Sequence, residues 1–190
     1  MSTLKDLIKE APIHERKLTI RTYPLENDRV IVEGWLRDER LAFGYHRDGR
    51  PRPPGVVHLM GVRLLIGDRP LTILEAEAEM STTPHELCPT VAETVKKIVG
   101  LPIVSGFSDQ VRKKLGGVAG CSHLMHLVLA MAPAALHGAW AYQSRDPQPV
   151  PRSFEEIPGL PYLINSCRLW KEDGPLIQQI REKFRDQGES

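Results

Sequence analysis

The hydrophobic period of this chain changes once, from two to between three and four, and that change fixes the order of its elements as strands first and helices second. Residues 16–24 alternate through Leu18, Ile20 and Thr22. Residues 29–36 continue in Val30, Ile31, Val32 and Trp35, with Asn27-Asp28 between the two runs as turn chemistry. This predicts a β-hairpin. Residues 56–66 are rich in β-branched and aliphatic side chains, Gly67-Asp68 supplies a second turn, and residues 71–80 alternate, with Leu71, Ile73, Glu75, Glu77 and Glu79 against Thr72, Leu74, Ala76, Ala78 and Met80. A second hairpin with one acidic, solvated face is expected. Beyond it, residues 89–99, 105–115 and 122–142 carry apolar side chains at helical spacing.

The stretch 44–54, with Asp48-Gly49 and three prolines, is predicted to be a loop able to cover a site. Residues 143–161 hold five prolines and read as a second loop. A last helix is expected from Gly174-Pro175, with Leu176, Ile177, Ile180 and Phe184 on one side. The expected fold is therefore α+β, a single domain over residues 1–190. Two hairpins at about 16–80 form an antiparallel sheet, and helices at about 88–187 pack on one of its faces.

Composition narrows the partners. Net charge is +1, with 26% charged and 41% hydrophobic residues, so nothing draws the chain as a whole to nucleic acid or to anionic lipid. No stretch reaches the run of about 18 apolar residues that a membrane span requires, and the first ten residues lack a signal-peptide core. Three widely spaced cysteines, Cys88, Cys121 and Cys167, argue against a disulfide framework and for a reducing compartment, with the cytoplasm as the expected location. The expected partner is a small-molecule substrate, without nucleic acid or membrane, and self-association into a homo-oligomer is left open.

The chemistry concentrates where a glycine-rich turn, Gly116-Gly117-Val118-Ala119-Gly120, runs into Cys121-Ser122-His123 at the start of the longest helix. Helix starts present unpaired N–H groups and the positive end of the macrodipole, which favour a thiolate as ligand or nucleophile. Cys88, followed by Pro89, is placed at an N-cap by the same logic. His58 lies inside an apolar strand, where an imidazole needs a partner: either a backbone carbonyl in the core or a role as metal ligand or base. His126, one turn deeper than His123, and Cys167, which opens no helix, are read as structural or supporting.

Two imidazoles and two sulfurs suit zinc or a low-coordinate iron centre. The expected metal ligands are His58, Cys88 and Cys121, with Cys121 and His123 as catalytic groups. Arg47, Arg50 and Arg52 of the proline-rich stretch are available to hold a carboxylate or phenolate. The expected function is a small metal-dependent lyase or hydrolase acting on a small organic substrate, with aromatic compounds among the candidates. The alternatives are a metal-free enzyme with Cys121 as nucleophile and a carrier or scaffold module that holds a metal or an iron–sulfur cluster without turnover.

From Arg16-Lys17-Leu18 through His58-Leu59-Met60, Cys88-Pro89 and Gly120-Cys121-Ser122-His123 to Ser166-Cys167, the chain resembles a bacterial family catalogued only as a domain of unknown function. Over residues 55–140 it is also similar to iron–sulfur cluster scaffolds of the IscU and NifU type. That resemblance implies an IscU/NifU-like core. It places His58 where the scaffold has an aspartate, Cys88 at its second cysteine, Cys121 at its third, and Val56 where its first cysteine would stand.

Overall fold

The computed structural model describes residues 2–188. Four long strands form one antiparallel sheet: β1 (His14–Pro24), β2 (Val30–Arg40), β5 (Gly55–Gly67) and β6 (Thr72–Thr82), in spatial order β1-β2-β5-β6. Both hairpins are present, and β2 pairs with β5 to join them into a mixed α+β fold. Asn27 and Asp28 adopt left-handed φ values of 60° and 56° at the first turn, the conformation short polar side chains tolerate best. The proline-rich stretch between β2 and β5 is more ordered than a plain loop. It forms a two-residue ribbon, β3 (Gly44–Tyr45) with β4 (Pro51–Arg52), turned by Gly49 at φ 80°.

One face of the sheet is apolar. Val30, Val32, Leu36, Met60, Val62, Leu64 and Ile66 are buried along β2 and β5, on alternate positions of each strand as the pleat requires, with Gly34 at the in-phase position between Val32 and Leu36. The other face carries charge. Arg63 binds Glu33 at 3.0 Å, Glu77 at 3.2 Å and Glu79 at 3.0 Å, with its guanidinium 5.9 Å from the centre of the Trp35 ring.

On β6 the acidic face is as expected for Glu75, Glu77 and Glu79, but Leu71 and Ile73 belong to the opposite one. The ladder shifts between Ile66↔Ile73 and Leu65↔Glu75, so Leu74 is an inserted bulge residue. The bulge reverses the phase and lets Leu71, Ile73 and Ala76 all be buried. Simple alternation has no means of registering that extra residue.

Helix α2 (Ser122–Gln143) lies on the apolar face. A Cβ on Gly34 would stand 2.7 Å from Met131 Sδ and 3.0 Å from Leu127 Cδ1, so the glycine is what lets helix and strand approach. Thr22 Oγ1 donates to the Ala134 carbonyl at 3.4 Å. α2 is long and apolar enough to cross a membrane by length and composition, which corrects the expectation that no segment approaches that limit. Its apolarity has a use in the fold, since Leu124, Leu127, Val128, Met131 and Ala135 are buried.

Between sheet and α2 the chain runs as a 3₁₀ segment, Cys88–Ile98, then α1 (Phe107–Leu115) and a short 3₁₀ turn, Gly117–Ala119. The N-cap of the first segment is Leu87, which places Cys88 inside the first turn and corrects its expected N-cap position. Residues 100–103 run beside the start of β6 through bonds between Gly100 and Ile73 and between Ile103 and Leu71.

The chain divides into two compact units at Gly138/Ala139. The second unit contains α3 (Leu160–Leu163) and α4 (Pro175–Gly188). Its own small core is Phe154, Leu160 and Ile177, with Trp170, Ile180 and Phe184 packed around them. Arg181 lies 4.6 Å over the Phe154 ring.

Candidate metal centre

The apolar stripe of the sheet ends in charge. On β2 the buried positions Val30, Val32, Gly34 and Leu36 are followed, still in phase, by Asp38, which is 2% exposed. In the register Asp38 lies between Arg16 of β1 and His58 of β5, so one row across three strands reads Arg-Asp-His. A carboxylate at such a position is stable only when paired, and Asp38 is paired repeatedly. Arg16 donates from Nε to Oδ1 and from a terminal nitrogen to Oδ2, both at 2.6 Å, and His58 Nδ1 lies 3.0 Å from Oδ2. His14 Nε2 approaches Oδ1 at 3.6 Å.

These contacts set the protonation states. The Arg16 fork holds the Asp38 carboxyl below the usual carboxylate range, overcoming the opposing effect of burial, and His58 adds in the same direction. An ionised carboxylate only accepts hydrogen bonds, so His58 donates to it from Nδ1. The ladder between β2 and β5 also shifts beside this pair, where Asp38↔His58 is followed by Glu39↔Val56. Val57 is therefore an inserted residue, a bulge of the kind that re-aims side chains next to functional sites.

The third side chain comes from α2. The Cys121 carbonyl accepts from the Met125 N–H at 2.9 Å, so Cys121 caps the helix and His123 falls in its first turn. The His123 ring lies 4.1 Å from the His58 ring, centre to centre, with its Nε2 3.8 Å from Asp38 Oδ2. Burial lowers its pKa, reinforced by the neighbouring His58 and Arg16, and this favours a neutral imidazole. Ligand atoms of Asp38, His58 and His123 all lie within 4.8 Å of one another. They border a cleft of about 380 Å³, whose walls also include Arg40, Arg52 and Val57.

Of the residues expected from sequence, His58 and His123 meet at this point. Cys121 stands beside them, its Sγ 3.8 Å from His123 Nδ1, but its sulfur is not among the converging ligand atoms. Cys88 is half-buried in its 3₁₀ segment and neither joins that group nor lines the cleft. Arg52 lines the cleft, whereas Arg50 is exposed and bound to Asp48 at 2.8 Å, and Arg47 is exposed. His126 and Cys167 are both exposed.

Sequence reasoning missed Asp38 and Arg16. The signal was present, because alternation from Val30 continued two steps beyond Leu36 puts a carboxylate in the buried phase.

No curated protein and no solved structure matches the chain, so the expected IscU/NifU-like core has no support from known proteins. A family model does match over residues 14–137, a span that begins at His14 of the site and stops one residue short of the division between the two units. The chain belongs to the family of proteins of unknown function described as DUF2889.

Proposed function

We propose that this protein is a metal-dependent enzyme in which Asp38, His58 and His123 hold one zinc or iron(II) ion, and that it acts on a small organic substrate by hydrolysis or carbon–carbon lyase chemistry. The observation that carries the reading is the convergence of one carboxylate and two imidazoles, from β2, β5 and α2, beside a cleft of about 380 Å³. Two histidines and one carboxylate suit a catalytic ion of either kind, because they leave coordination positions open to water and substrate. The fit extends to protonation, since binding needs neutral imidazoles and burial disfavours the charged form of His123. His58 Nδ1 already faces the Asp38 carboxylate at 3.0 Å, so an ion shared by the two would take the place of that hydrogen bond. Such an ion acts as a Lewis acid, polarising a carbonyl or bringing the pKa of bound water to about 7.

A second reading is favoured by the 3.8 Å approach of Cys121 Sγ to His123 Nδ1. In it no metal is needed, Cys121 is the nucleophile, and His123 takes its proton.

Metal analysis of protein purified without a histidine tag separates the two. The first reading predicts about one equivalent of zinc or iron, removed by chelator and absent from His58→Ala. Protein without metal or metal affinity, in which Cys121 reacts rapidly with iodoacetamide, would establish the second reading and reject the first.

A further inference from the structure

We infer that the cleft takes the anionic oxygen group of a small molecule, a carboxylate or a phosphate ester, and that Arg40 and Arg52 are the groups that hold it. This rests on reading the cleft as an active site. It specifies which chemical class of substrate enters.

The charge arrangement of the walls leads to it. Asp38 is the only carboxylate lining the cleft among the described residues, and the Arg16 fork already neutralises it. That leaves Arg40 and Arg52 uncompensated, for no carboxylate pairs with either among the described residues.

Arg40 adds a second, independent observation. One of its terminal nitrogens donates to the Pro53 carbonyl, which fixes the side chain, yet its Nε is buried without a hydrogen-bond partner. A buried guanidinium N–H with no acceptor is costly, and most such groups in native proteins are satisfied. That Nε is closed to solvent as it stands, so an anionic oxygen in the cleft supplies the missing acceptor as the Arg40 side chain turns toward it.

Position favours the same answer. Arg40 is the last residue of β2, two positions beyond Asp38 and in the same phase of the strand. Arg52 belongs to β4, on the ribbon inserted between β2 and β5. An anion held between them lies beside the Asp38–His58–His123 group, so the remainder of a small molecule meets those side chains. The volume is within the range of small-molecule sites. A forked guanidinium recognises carboxylate and phosphate oxygens alike, so both sources remain to be told apart by experiment.

The test is calorimetric titration of benzoate, phenyl phosphate and neutral benzamide into chelator-treated protein and into the same protein reloaded with zinc. Arg52→Gln and Arg40→Gln are titrated alongside, with circular dichroism to confirm folding. We expect one or both anions to bind and benzamide not to, with Arg52→Gln weakening the anion about tenfold or more. The stronger anion identifies the source. Should Arg40→Gln fail to fold, Arg52→Gln decides alone, since Arg52 lies on the short ribbon outside the four-stranded sheet. Binding of neither anion, equal binding of benzamide, or unchanged affinity in Arg52→Gln overturns the inference. Failure of the metal reading looks different: the protein then takes up no zinc, while the anions still bind through Arg52.

Discussion

At the scale of single residues the decisive group is Asp38. It lies at the end of an apolar stripe and is stable there because Arg16 takes both of its oxygens and His58 takes one of them again. Replacing it by asparagine removes the charge that Arg16 faces. The Arg16 side chain is 40% exposed and can turn to water, so the expected loss in the metal-free protein falls below that of a fully buried broken pair, at about 2 kcal/mol. The pH dependence follows from the direction of the shift. The Asp38 pKa in the folded state lies below its unfolded value of about 3.9. Its contribution is therefore complete above that value and disappears as pH falls through the folded one. Chemical denaturation of chelator-treated wild type and Asp38→Asn should show a gap that is constant near neutrality and closes toward acid. A gap that stays unchanged at low pH would show that the ionised carboxylate is not what stabilises this end of the sheet.

At the scale of elements, the seating of α2 on β2 at Gly34 decides where His123 stands. A valine there places its Cβ against Met131 Sδ and Leu127 Cδ1, which should destabilise the fold by roughly 1–3 kcal/mol. Because the same helix carries His123, the substitution should also weaken zinc binding. Gly44→Ala meets nothing within 4 Å and should change stability by less than about 0.5 kcal/mol. Competition titration with a zinc chelator checks both, and unaltered zinc affinity in a folded Gly34→Val would show that the seat of α2 does not position the site. The elements themselves were largely legible in the sequence, since period two and helical spacing locate the four strands, α1, α2 and α4 to within a few residues. What escaped were the extra residues. Leu74 and Val57 each interrupt a ladder, and a bulge is decided by the partner strand rather than by the residue's own neighbours. Ending β2 at Leu36 concealed Asp38 for a related reason, because charged residues from Arg37 onward obscure an alternation that continues.

At the scale of the whole molecule, the site belongs entirely to the first unit, between His14 and His123, and within the span shared with the family. Which residues come together there was only partly legible. His58 and His123 stood out as polar groups in apolar surroundings, but helix starts also drew attention to Cys88, and a local rule about helix starts cannot say where each start points once the chain is folded. Arg16, Asp38 and His58 are 22 and 20 residues apart in sequence and adjacent only through strand pairing. The central claim, that Asp38, His58 and His123 bind one ion, is tested most directly by X-ray absorption at the metal edge of the loaded protein. The account predicts nitrogen and oxygen ligands at about 2.0–2.2 Å, with the outer scattering of two imidazoles and no sulfur at about 2.3 Å. A sulfur shell would assign the ion to cysteine, and the absence of any bound ion would reject the metal centre altogether.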